Sequence, residues 1–230
     1  MRTIGLIGGM SWESSIEYER IIHQEVRQRL GGLHSAKLIL ISYDFADIEK
    51  LQSESRWGEA GAVLAEGARR LESAGAEVIV LCTNTMHRVA DAVEAAVSAN
   101  FVHIADATAA AVSRAGISTV GLLGTRYTME QGFYRERMGQ WHGLGVLVPG
   151  VDDRELVHRV VYEELVRGVI NSQSRDAYLG VIERLRDAGA QGMIAGCTEI
   201  ELLVGPGDVD LPYFPSTRIH ALAAVDAAMT

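Results

Sequence analysis

Leu71-Glu72-Ser73-Ala74-Gly75-Ala76-Glu77, running into the apolar stretch Val78 to Cys82, is matched later in the chain by Leu185-Arg186-Asp187-Ala188-Gly189-Ala190-Gln191, running into Gly192 to Ala195. Each copy reads as a helix end, a glycine stop and a buried strand. A second pair supports the match: Ile4-Gly5-Leu6-Ile7-Gly8 lines up with Val120-Gly121-Leu122-Leu123-Gly124. Continued without a gap, the first alignment sets Thr83 against Cys197, Asn84 against Thr198 and Thr85 against Glu199. The chain therefore reads as two similar halves whose corresponding strands end in corresponding polar loops.

The text around these anchors alternates. Strands are expected at Ile4 to Ile7, Lys37 to Ser42, Glu77 to Cys82 and Val102 to Ile104. In the second half they are expected at Thr119 to Leu123, Val146 to Val148 and Gly192 to Ala195. Helical patterns follow Ser11 and cover Glu59–Ser73, Val89–Ser98 and Thr108–Arg114, then Met129–Met138, Glu155–Val169, Arg175–Ala188 and Arg218–Met229. Such alternation predicts an α/β fold of two doubly wound, parallel-sheet halves with helices on both faces. We expect residues 1–104 with 208–230 to form the first domain and 105–207 the second. Ligands of open parallel sheets sit beyond the strands' carboxyl ends, which puts the expected site in the cleft between the halves.

The bulk properties exclude several function classes. Hydrophobic residues make up 48% of the 230, enough for a sizeable core. The net charge of -9 offers no basic surface for nucleic acid. No apolar run approaches a membrane span, and the N-terminus lacks a signal-peptide pattern, so a cytoplasmic location is expected. Gly5 to Gly9 lacks the spacing of a dinucleotide fingerprint, and no phosphate-loop lysine or G-x-S-x-G elbow is present. The seven histidines are scattered, so no metal is expected. No lysine stands in an apolar context suggesting a pyridoxal Schiff base. Trp12, Trp57 and Trp141 read as packing residues.

Polar groups just past buried strands remain. Cys82-Thr83-Asn84-Thr85-Met86-His87 and Gly196-Cys197-Thr198-Glu199 could be no more than helix caps, which Thr and Asn form well. Their correspondence across the repeat favours a shared role. The motifs Gly8-Gly9-Met10-Ser11, Thr83-Asn84-Thr85, Gly124-Thr125 with Thr128 and Tyr134, and Gly196-Cys197-Thr198-Glu199 resemble the aspartate/glutamate racemase family, with its hydantoin racemase and arylmalonate decarboxylase relatives. Ser11-Trp12-Glu13-Ser14 and Thr83 to His87 are most similar to its aspartate/glutamate-specific branch.

The resemblance implies a cofactor-independent racemase of acidic amino acids, usually a homodimer, in which two groups face opposite sides of the substrate α-carbon. Thiols suit that chemistry because a pKa of about 8.5 is easily shifted by neighbours. Here the family's first cysteine position holds Thr83, and Cys82 stands one residue earlier. Side chains alternate along a strand, so Thr83 and Cys197 are the expected catalytic pair and Cys82 a buried thiol; the rival reading has a bulge turning Cys82 into the site. A hydroxyl is the poorer base, so the pair implies preference for the L-form. Met10, Ser11, Asn84, Thr85, Thr125, Thr198 and Glu199 are the expected substrate-binding groups. His87 reads either as tuning the loop electrostatically or as a satisfied histidine behind it. Gln52 and Glu164 stand in the regions matching a distal-carboxylate grip and supply no cation, which leaves room for glutamate as well as aspartate. Two other readings stay open: a cysteine-dependent decarboxylase or isomerase of the same superfamily, and an amino-acid-binding protein without activity.

Overall fold

The computed structural model describes Met1–Thr230. The chain divides into two compact units, Met1–Ile104 with His220–Thr230, and Ala105–Ile219. The first contains β1 (Ile4–Gly8), α1 (Trp12–Leu30), β2 (Leu38–Ser42), α2 (Phe45–Ser53), α3 (Trp57–Ser73), β3 (Val78–Leu81), α4 (Ala90–Glu94) and β4 (Asn100–Val102), with a 3₁₀ turn at Thr85–Val89. Its four strands are all parallel, in the order β2-β1-β3-β4. β1 and β3 are buried along their whole length, the signature of strands covered on both faces.

α5 (Ile104–Arg114) starts on the last residue of the first unit and continues in the second. There follow β5 (Thr119–Gly124), α6 (Arg126–Glu130), α7 (Gly132–His142), β6 (Gly145–Leu147), α8 (Val151–Glu163), α9 (Ser172–Asp187), β7 (Met193–Gly196), α10 (Ile200–Leu203) and β8 (Tyr213–Pro215). This sheet is parallel in the order β6-β5-β7-β8, the same arrangement as the first. α11 (Ser216–Met229) then returns to the first unit, where Ala221, Ala224, Val225 and Ala228 pack with Ile4, Tyr18 and Ile22.

The repeated stretch folds identically in both units. Ala74 and Ala188 close their helices, and Gly75 and Gly189 follow at φ 97° and 107°, a left-handed conformation that glycine adopts without steric cost. Ala76 N–H reaches back to the Leu71 carbonyl at 2.9 Å, and Ala190 N–H to Leu185 at 3.0 Å. The match extends to a side chain: Glu77 Oε1 accepts from Thr3 N–H at 3.2 Å and Gln191 Oε1 from Thr119 N–H at 3.1 Å.

Several sequence expectations need correction. Residues 208–219 belong to the second unit, not the first, because β8 pairs with β7 (Met193↔Tyr213, Ala195↔Pro215). The expected helix from Met129 to Met138 is two, broken at Gln131, whose ψ of 138° is extended. The helix expected to reach Val169 ends at Glu163 and gives way to a 3₁₀ turn, Leu165–Arg167. Val89–Ser98 yields only the short α4. Of the tryptophans, Trp57 packs on the core cluster of Ile7, Leu64 and Ile79. Trp12 and Trp141 are 62% and 67% exposed. No helix is long and apolar enough to cross a membrane.

Candidate active site

In the first unit β3 alternates its side chains between two apolar layers. Val78, Val80 and Cys82 pack with Leu6, Tyr18 and Val225, whereas Ile79 and Leu81 pack with Ile7, Leu64 and Met86. Cys82 is 1% exposed, and burial pushes its thiol far above the usual range. Its S–H points back to the Val80 carbonyl at 3.8 Å. The strand ends here: Thr83 N–H turns onto the Leu81 carbonyl at 2.8 Å, and Thr83 is partly exposed beyond the sheet. Asn84 and Thr85 follow, both buried. The His87 ring sits behind them, with Nδ1 donating to the Thr83 carbonyl at 2.7 Å.

Next to this loop lies the turn after β1. Ser11 caps α1 through Ser14 N–H at 3.4 Å, and Ser15 Oγ accepts from Gly9 N–H at 2.8 Å. Met10 points its side chain into the apolar cluster that also holds Met86. Gln52, on α2, is buried, and its Nε2 donates to the Met86 sulfur at 3.0 Å.

In the second unit β5 and β7 meet closely at their carboxyl ends. A Cβ at Gly196 would lie 2.8 Å from the Leu123 carbonyl oxygen, so only glycine fits immediately before Cys197. Thr128, fully buried, packs its methyl beside Gly124 and Gly196. Thr125 caps α6, its Oγ1 3.4 Å from Thr128 N. Cys197 is partly exposed at the strand end, and its S–H donates to Glu199 Oε2 at 2.8 Å. Burial, then the charge and hydrogen bond of Glu199, hold the thiol well above its ordinary pKa. At rest Cys197 therefore carries its proton. Glu199, expected among substrate-binding groups, is buried and occupied with the thiol.

Thr198 Oγ1 lies 3.2 Å from Thr217 Oγ1, and Ser216 Oγ donates to the Ala195 carbonyl at 2.7 Å. Both partners stand just past β8, the strand that sequence reading missed. The repeat could have found it, since Tyr213–Pro215 precedes α11 as Asn100–Val102 precedes α5. Glu164 is half-buried at the end of α8 and accepts from Ser174 Oγ on both carboxylate oxygens, at 2.9 and 2.7 Å. Tyr134 is fully buried.

The chain's similarities agree with this layout. The model of the Asp/Glu/Hydantoin racemase family matches residues 7–224. A candidate Asp/Glu racemase from Yersinia pestis is 56% identical over 100% of both chains, with a TM-score of 0.95. An aspartate racemase homologue from Pyrococcus horikoshii OT3 is 33% identical over 100% of both, with a TM-score of 0.88. The Picrophilus torridus aspartate racemase, 19% identical over 100% of this chain and 95% of its own, shares the fold at a TM-score of 0.80. Matched along nearly its whole length, the chain belongs to the Asp/Glu/Hydantoin racemase family.

Proposed function

We propose that this protein racemises acidic amino acids without a cofactor, with Cys197 and Thr83 serving opposite faces of the substrate α-carbon. The observation that carries the reading is the Cys197–Glu199 contact at a strand end whose counterpart in the first unit is Thr83. A resting thiol cannot abstract a proton. Cys197 first passes its proton to the Glu199 carboxylate, 2.8 Å away, and the resulting thiolate then takes the α-proton of an L-amino acid. The carbanion is reprotonated from the other face by the Thr83 hydroxyl, which regains a proton from solvent as Glu199 releases one. Backbone amides of the Met10-Ser11 turn, with Asn84, Thr85, Thr125 and Thr198, supply donors for the α-carboxylate and the developing charge.

The reverse direction starts at Thr83. A hydroxyl ionises far less readily than a thiol, so D-substrates turn over slowly and the L-form is preferred. For the distal carboxylate neither Gln52 nor Glu164 offers a cation. Arg126, one residue past Thr125, is exposed and carries its guanidinium 5.9 Å from the Tyr127 ring centroid. We assign it to that group, with Arg126→Gln expected to raise KM for aspartate and glutamate by about tenfold or more, the worth of a charge-assisted hydrogen bond. An unchanged KM removes the assignment.

The test of the whole reading is α-proton exchange in D2O followed by proton NMR. The protein, without added cofactor, is incubated with L-Asp, D-Asp, L-Glu and D-Glu in turn. Loss of the α-proton signal with inversion, abolished in Cys197→Ser, is the expected result. No exchange with any of the four overturns it.

A further inference from the structure

His87 is 3% exposed, and both its ring nitrogens are engaged. Nδ1 lies 2.7 Å from the Thr83 carbonyl, which can only accept, so Nδ1 carries the hydrogen. Nε2 lies 3.2 Å from the backbone N–H of Ile104, which can only donate, so Nε2 is the bare acceptor. The two contacts together fix one neutral tautomer. Ile104 is the first residue of α5 and the last of the first unit, so the ring also satisfies one of that helix's orphan N–H groups.

The chain returns to this unit at His220, whose ring centroid is 5.6 Å from that of His87. His220 Nε2 donates to the Val102 carbonyl at 2.7 Å, and its Nδ1 accepts from the Tyr18 hydroxyl at 2.8 Å. His103 stands edge-on to His87 at 4.5 Å. These rings do not converge on a metal position. They form a buried floor beneath the Thr83 loop, at the two points where the chain leaves the first unit and re-enters it.

We infer that His87 is a positioning residue: through its Nδ1–H it holds the Thr83 backbone to the start of α5, and so fixes where the Thr83 hydroxyl stands. The inference rests on the racemase reading above and adds a residue to it. The Thr83 carbonyl carbon and its hydroxyl-bearing carbon are both bonded to the same Cα, so releasing the carbonyl lets the hydroxyl drift. A misplacement of about 1 Å can cost on the order of 10²-fold in rate. The Cys197 side belongs to another loop with its own partner, Glu199, and is spared.

That asymmetry gives a readout that general loss of stability does not reproduce. With L-aspartate in D2O, exchange without inversion reports Cys197, and inversion reports delivery from the Thr83 face. In His87→Ala the inversion rate is expected to fall by about 10²-fold while exchange of the L-form persists. His87→Asn, which keeps an N–H donor near the Nδ1 position, is expected to restore the ratio; His87→Gln, whose amide reaches the Nε2 position instead, is not. An unchanged ratio in His87→Ala overturns the inference while leaving racemisation standing. Should the alanine variant fail to fold, equal ratios in the asparagine and glutamine variants overturn it just as well.

A readout independent of turnover is the 15N NMR spectrum of the His87 ring in the wild-type protein. A proton on Nδ1 and a bare Nε2 are expected. The opposite tautomer removes the basis of the proposal whether or not the protein racemises anything.

Discussion

The loops closing β3 and β7 are counterparts in the repeat, yet they are held in opposite ways. In the first, the anchored atom is a backbone carbonyl: His87 grips Thr83 O at 2.7 Å, and the residue itself is partly exposed. In the second, the anchored atom is the reactive one, the Cys197 sulfur, whose S–H donates to Glu199 Oε2 at 2.8 Å. The difference follows from the chemistry each loop can offer. A hydroxyl stays protonated at any working pH and needs only to be put in place. A thiol lies close enough to ionisation that its proton must be managed, and a carboxylate both raises its pKa and stands ready to accept.

The sharpest way to break the comparison is to remove each reactive group in turn. Cys197→Ser is expected to abolish both exchange and inversion of L-aspartate, a loss of about 10³-fold or more, within the range supplied by a positioned acid–base group. Thr83→Ala is expected to lose inversion by a similar factor and retain measurable exchange of the L-form. Equal loss of both signals in Thr83→Ala would show that the loops do not divide the two faces as proposed.

Glu199→Gln tests the management of the thiol proton. Removing the negative charge takes away a cause that holds Cys197 high, so its pKa falls toward the ordinary thiol value. The measurement is iodoacetamide alkylation as a function of pH. The wild-type midpoint is expected above about 8.5 and the variant's at lower pH, while racemisation drops because the acceptor is gone. A midpoint that does not move would detach Glu199 from the thiol's chemistry.

The histidine floor predicts a pH dependence confined to the first loop's support. Burial lowers the pKa of His220 from 6.5 to about 4, against the raising effect of its hydrogen bond to the Val102 carbonyl. Because the folded value is depressed, the unfolded chain binds the proton first as pH falls. Stability from this group is complete above pH 6.5 and is lost progressively down to about 4. The shift corresponds to about 3 kcal/mol. Urea midpoints measured between pH 7 and 4 should show this slope, reduced in His220→Gln. A slope identical in the variant assigns the acid loss elsewhere.

The repeat was legible in the sequence because both copies use the same devices at the same places: an alanine cap, a left-handed glycine and a following Glu or Gln that reaches back to a threonine N–H. β8 was not legible. Three residues ending in Pro215 carry no alternation, and the strand exists only because β7 offers it a partner. The same omission misplaced the domain boundary. At the site, the two apolar layers of β3 are written in Val78 to Cys82 and account for the burial of Cys82, whereas Thr83 stands past the strand in a turn that parity does not describe. What sequence could not convey was which polar side chains hold other protein groups. Gln52 on the Met86 sulfur, Glu164 on Ser174 and Glu199 on Cys197 are tertiary pairings with no local pattern.

The smallest expected effect concerns the thiol that the comparison leaves out. Cys82 precedes Thr83, but its sulfur is sealed among Leu6, Tyr18, Val78, Val80 and Val225. Cys82→Ala removes one buried atom from that layer and is expected to cost about 1 kcal/mol, within the usual range for a point change in a core, with the inversion-to-exchange ratio unaltered. Alkylation of the native wild-type protein should then label Cys197 alone, and both thiols only after unfolding. Fast labelling of Cys82 in the folded protein, or a changed ratio in Cys82→Ala, would put this sulfur into the chemistry. Thr83 would then lose its standing as the counterpart of Cys197, because the burial that keeps the Cys82 sulfur out of the loop would not hold in the working protein.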